Sequence, residues 1–188
     1  MRKSLALIVL AWAALPACAL DLAGLMNLLA QRKSGEGRFT EERTVSGLDL
    51  PLRSSGRLAF TAPDRFERHT LLPRAESVEV QGNSIVLKRG GRTRQTTLDA
   101  VPELAALIDA LRGTLTGDAA TLQKQFRAEV GGSEARWTLA LTPTDSRLSA
   151  QVRQLEIAGS RADVQSVVLW LAGGDRSLML IEPLQPAQ

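Results

Sequence analysis

Aromatic residues make up 4% of this 188-residue chain, and tyrosine is absent. A nucleic-acid platform built on base stacking needs exposed aromatic faces, so that class is disfavoured. His69 is the one histidine, so no histidine metal cluster can form, and neither a metal nor another cofactor is expected. It could still serve a Ser–His pair, but no G-x-S-x-G elbow is present to hold a nucleophile. A Walker loop is missing too, and the glycine pairs Gly90-Gly91, Gly131-Gly132 and Gly173-Gly174 read as hairpin turns rather than phosphate cradles. Cys18 is the sole cysteine, so no disulfide can form within the chain and a hydrophobic core must carry stability.

What is present begins with a leader. Arg2 and Lys3 precede an apolar run from Leu5 to Ala14, Pro16 breaks it, and Ala17-Cys18-Ala19 offers small residues for cleavage. A membrane-spanning helix needs roughly 20 apolar residues, and this run is shorter. Residues 1–19 are therefore expected to be a signal peptide cleaved after Ala19, leaving 20–188 as a single domain in the periplasm. The competing reading is a lipobox, because Leu15-Pro16-Ala17-Cys18 would place a lipidated Cys18 at the mature end and tether the protein to the outer membrane. The formal charge of +3 includes Arg2 and Lys3, so the mature chain carries only +1. Its arginines are scattered, no nucleic-acid partner is expected, and a monomer is.

Asp21 caps a helix with Leu22, Leu25, Met26 and Leu29 on one stripe, and Gly35 and Gly37 are expected to end it. The period then changes to two, which predicts a meander of antiparallel strands. The first, around Phe39 to Val45, is rich in charge and reads as exposed or edge-like. Further strands follow at 57–61, 66–71, 76–81, 85–87 and 93–98, punctuated by turns such as Gly82-Asn83. Two helices interrupt, one from Pro102 with Leu107, Ile108 and Leu111 on its stripe, the next capped by Thr116 or Asp118. Strands resume at 126–130, 136–141, 152–158, 164–171 and 178–181. The last two are apolar on both faces and must be covered on both.

Polar chemistry is thin. Glu41 and Glu42 point to opposite faces of a strand and cannot cooperate. Asp64, Arg65, Glu67 and Arg68 read as a solvated strand edge. A non-enzymatic role is expected. The apolar candidates are Leu58, Phe60, Phe66, Trp137, Leu139, Val168 and Trp170 along one concave face, with Leu25, Leu29, Leu107, Ile108 and Leu111 laid over it. Periodicity leaves two readings open: a ligand cavity under a lid, or an ordinary core under helices.

Five short motifs add a family likeness. Phe39-Thr40-Glu41, Ser55-Gly56-Arg57-Leu58, Pro63-Asp64-Arg65-Phe66, Pro73-Arg74-Ala75-Glu76 and Gly82-Asn83 occur in an order and spacing that resembles the LolA-like periplasmic outer-membrane lipoprotein carriers. The resemblance implies a mainly β protein with α: an incompletely closed antiparallel barrel, or half-barrel, covered by a lid of about three helices. It also implies a carrier of lipoprotein acyl chains that works between an inner-membrane exporter and an outer-membrane receptor. One position departs from the pattern. The family's loop arginine, which ties lid to barrel, is Ala62 here, leaving Arg57 or Arg65 as substitutes. The chain thus looks like a divergent branch, whose cargo is a lipoprotein or another acylated molecule such as a lipid-linked pigment precursor. The alternative within the same fold is a non-transporting lipid sensor or envelope-assembly partner, or a tethered receptor if Cys18 is lipidated.

Overall fold

A computed structural model describes residues 20–100 and 102–184. The expected signal peptide, its cleavage at Ala19 and Cys18 lie outside the described residues. Among the described residues eleven strands form one antiparallel sheet. In chain order they are β1 (Ser34–Thr44), β2 (Leu52–Thr61), β3 (Arg65–Leu72), β4 (Glu76–Gln81), β5 (Ser84–Arg89) and β6 (Arg92–Thr97), then β7 (Phe126–Ser133), β8 (Arg136–Pro143), β9 (Val152–Ser160), β10 (Asp163–Leu171) and β11 (Arg176–Leu184). Their order across the sheet is β6-β5-β4-β3-β2-β1-β11-β10-β9-β8-β7, so β6 and β7 are the free edges and the half-barrel stays open.

Short hairpin turns explain most of this order, because sequential antiparallel strands joined by a few residues pair with one another. The exception is β1 with β11, which pair from Glu36↔Leu184 to Thr44↔Arg176 and weld the two meanders together. Strand β1 is therefore central and not edge-like, and Phe39 is 1% exposed. Its many charges are tolerated because Arg38, Thr40 and Glu42 face solvent on the outer side, while Glu41 finds a partner on the inner side. Gly35 and Gly37, expected as helix terminators, lie within β1 instead. Likewise the β7–β8 turn falls at Glu134-Ala135, two residues past the glycine pair.

Helix α1 (Leu22–Leu29) starts on Asp21, whose side chain accepts from the Gly24 N–H at 2.7 Å. Helices α2 (Pro102–Thr116) and α3 (Ala119–Gln125) bridge the two edge strands, after a 3-10 turn at Leu98–Ala100. Asp118 caps α3. A fourth helix, α4 (Ser146–Ser149), has a single turn and was not legible in the sequence pattern. Among the described residues no helix is long and apolar enough to cross a membrane.

The helices lie on the inner face and form two apolar clusters with it. The larger joins Leu25, Met26 and Leu29 of α1, Ala106 and Ala110 of α2 and Leu122 of α3 to Trp137, Leu139, Leu141, Leu155 and Ile157. The indole of Trp137 sits opposite Gly159, where a Cβ would come within 2.5 Å of Cζ2, so glycine is required for the ring to lie flat. Its Nε1 donates to the Arg161 carbonyl at 2.9 Å, which satisfies the one polar atom of the ring. The smaller cluster joins Val80, Ile85 and Leu98 to Phe66, Val78, Ala105 and Ile108.

Candidate functional site

Directly paired residues of antiparallel strands share a face, so the registers define rows across the inner surface of β2–β6. One row runs Phe60, Phe66, Val80, Ile85. The next runs Leu58, Arg68, Val78, Leu87 and Arg94. The Phe60 and Phe66 rings stack obliquely with centroids 5.2 Å apart. Together these rows make an apolar trough that turns polar away from α2.

Over the trough lies α2. Ile108 and Ala105 pack on the Val80–Ile85–Phe66 group, while Leu107 and Leu111 pack on the larger cluster with Leu25 and Leu29 of α1. All five expected lid residues thus belong to, or pack against, the two apolar clusters. Of the expected lining residues, Leu58, Phe60 and Phe66 lie in the trough, and Trp137 and Leu139 lie on the same face at the far end, fully buried.

Val168 and Trp170 require a correction. Register pairs Val167 with Ile157 and Leu169 with Leu155, placing those residues in the larger cluster. Val168 and Trp170 therefore point to the outer face. Val168 pairs there with Leu178 and Glu156, and the Arg176 guanidinium sits 5.7 Å above the Trp170 ring. A strand apolar on both faces gives alternation no way to choose between them.

The trough also contains an ion pair that the charge pattern concealed. Arg68 reaches inward from β3, its guanidinium 4.5 Å over the Phe39 ring and its Nη2 donating to Glu41 Oε2 at 2.6 Å. Ser54 and Ser177 donate to the same carboxylate at 3.0 and 2.7 Å. Gly56 leaves the space this needs, since a Cβ there would lie 2.9 Å from the Phe39 ring and 2.0 Å from the His69 carbonyl oxygen. Burial pushes the Glu41 carboxyl up, but the hydrogen bonds from Arg68, Ser177 and Ser54, with the Arg68 charge, outweigh it and hold it below the usual carboxylate range. Strict alternation from Phe66 to Arg68, and from Phe39 to Glu41, was the signal that would have placed both groups inside.

The rest of that charge run does face out. Arg65 pairs with Glu67 at 2.8 Å and Glu79 at 2.9 Å, and His69 contacts Glu67 at 3.0 Å. Arg57, level with Arg38 and His69, also faces out. Neither Arg57 nor Arg65 reaches the lid, so neither replaces the loop arginine that Ala62 lacks. The clasp comes from the lid side instead. Arg112 of α2 donates through Nη2 to the Gly82 carbonyl in the β4–β5 turn, and its Nη1 lies 3.4 Å from Asp109.

Two shallow grooves, of about 410 and about 280 Å³, run side by side over the outer face of β11, β1 and β2, with Leu72 and Leu180 along them. Among the described residues no group of three His, Cys, Asp or Glu side chains could hold a metal ion.

A family model described as outer membrane lipoprotein carrier protein LolA-like matches residues 13–181. No curated protein matches the chain in sequence. Among solved structures, it is similar to a LolA superfamily protein from Nitrosomonas europaea, at 9% identity and a TM-score of 0.45, covering 92% of this chain and 96% of that one. A chain of the Pseudomonas aeruginosa MucA/MucB complex is 20% identical with a TM-score of 0.40, covering 89% of this chain and 59% of that one. LprF from Mycobacterium bovis is 10% identical with a TM-score of 0.35, covering 89% and 94%.

Proposed function

Because the chain belongs to the outer membrane lipoprotein carrier protein LolA-like family, we propose that it is a periplasmic carrier that shelters acyl chains in the trough beneath α2 and delivers them towards the outer membrane. The cargo is a lipoprotein or another lipidated molecule, received from an inner-membrane exporter and passed to an outer-membrane acceptor, and no bond is made or broken in the process. One observation carries the reading: a single helix, held at Gly82 by Arg112, is the cover over the half-buried trough residues Phe66 and Val78.

Exchange supplies the mechanism. With the lid down, Ile108 and Ala105 occupy the apolar rows. Cargo would replace those side chains, each buried methylene contributing about 0.8 kcal/mol. The gain of binding a chain is offset by the lid contacts given up, so loading and release stay close to balance. Gly117, at φ +74° between α2 and α3, lets α1 pack closely, since a Cβ there would lie 2.3 Å from the Met26 carbonyl oxygen.

Native mass spectrometry of the protein taken gently from its own periplasm tests this, before and after organic extraction. An acylated species lost on extraction is expected, together with a mass that reports whether the chain starts at Leu20 or at a lipidated Cys18. Phe60→Asp should abolish retention of that species while export continues. Retention unchanged in Phe60→Asp would remove the trough from the mechanism. A protein that stays empty but binds a protein partner only when lipid is supplied would instead mark a sensor.

A further inference from the structure

Six large hydrophobic side chains are markedly exposed among the described residues, and five of them share one end of the sheet. Leu48, Leu50 and Leu52 are 50%, 77% and 53% exposed at the β1–β2 connection, and Leu71 and Leu72 are 58% and 64% exposed at the β3–β4 connection. The registers Arg43↔Leu52, Ser55↔Leu72, Glu76↔Arg89 and Arg89↔Arg92 bring these two connections and the β5–β6 hairpin together. That hairpin supplies Lys88, Arg89, Arg92 and Arg94, and residues 84–97 contain no acidic side chain. Arg74, between β3 and β4, is exposed beside it.

Isolated surface leucines need no explanation, and cations alone would suit the defence of an edge strand. Leucines in a loop and at the adjoining strand ends, bordered by arginines, make a different combination. It matches the boundary of an anionic bilayer, where apolar side chains enter the headgroup–acyl region and cations meet lipid phosphates. The loop is also held in place: the Ser46 N–H donates to Asp175 Oδ1 at 2.8 Å and Ser46 Oγ to the Gly173 carbonyl at 3.2 Å. Little ordering is left to do on contact.

We propose that this end of the half-barrel docks on the surface of an anionic lipid bilayer, with Leu50, Leu71 and Leu72 as the inserting side chains and Lys88, Arg92 and Arg94 as the phosphate contacts. The proposal stands on the surface alone and does not depend on what the trough holds. If the trough does hold an acyl chain, its outer rows open towards the same end, and the chain would enter the membrane without crossing water.

The mature protein isolated from its own cells would be sedimented with vesicles of phosphatidylglycerol and phosphatidylethanolamine, and separately with pure phosphatidylcholine. Binding to the anionic vesicles alone is expected, weakening as salt rises. Replacing Arg92 and Arg94 by Ser should weaken it roughly five-fold for each. Leu71→Ser with Leu72→Ser should weaken it on the order of ten-fold. All four side chains are exposed, so the variants should melt like the parent. Hydrogen exchange on the unaltered protein gives a second reading, with residues 45–52, 71–75 and 88–94 expected to slow when anionic vesicles are added. Equal binding to phosphatidylcholine, indifference to the leucine pair, self-association in place of vesicle binding, or no protection at those loops would overturn the proposal.

Discussion

Strands β8 and β9 present Trp137, Leu139, Leu141, Leu155 and Ile157 to the helices and leave each of them 0–3% exposed. On the other side of the β1–β11 seam, β2–β5 bury Phe60, Val80 and Ile85 against the same inner space but leave Leu58, Phe66, Val78 and Leu87 half-buried, with Arg68 and Glu41 among them. Four helices press on the first half, α4 through Leu148, whereas α2 alone of them reaches the second through Ala105 and Ile108. Free energy follows contact. The first half is a permanent core whose opening would unfold the domain. The second is a thinner apolar surface covered by the same α2 that joins the first through Ala106 and Ala110. The helices are thus distributed unevenly over one sheet.

Trp137→Ala should have the largest effect on that division, costing about 3–5 kcal/mol because the indole leaves a cavity that its packed neighbours cannot fill. Urea denaturation would measure it. Phe66→Ala should cost markedly less stability, since its ring is only partly buried, while impairing cargo retention more. Equal stability losses at the two sites would erase the distinction between the halves.

Arg68→Met comes next. It keeps an apolar stem over Phe39 but leaves the Glu41 carboxylate without its cation, at a cost of about 1–3 kcal/mol near neutral pH. The pH dependence has a definite sign. Glu41 is held below its ordinary value of 4.5 in the folded protein, so its contribution is present above that value and is lost as pH falls through the folded one. Melting temperature should therefore drop on acidification in the parent, and the drop should shrink in Arg68→Met.

Arg112→Ala should change global stability by about 1 kcal/mol or less while speeding amide exchange in α2, because it releases a clasp at the rim and not a core group. A uniform loss of protection across the sheet would show instead that α2 and the sheet open as one unit. Arg65→Ala should do least. Its pairs with Glu67 and Glu79 lie at the outer surface, where ion pairs contribute about 0–1 kcal/mol, and thermal melts should barely move.

Much of the architecture was legible because it depends on neighbours in the chain. Alternation at Val78 and Val80, the cap at Asp21, Pro102 at the start of a helix and the turn at Gly82-Asn83 each need only a few adjacent residues to decide local geometry. Those signals determined a β-rich domain interrupted by helices, with the lid stripe of Leu107, Ile108 and Leu111 already visible. They could not determine which strands meet across long separations. Only the tertiary structure made β1 central by pairing it with β11, turned Val168 and Trp170 outward, and brought Arg68 to Glu41 and Arg112 to Gly82. The physical reason is that a strand's period of two defines two faces without saying which one is buried, and that choice is made when distant segments pack.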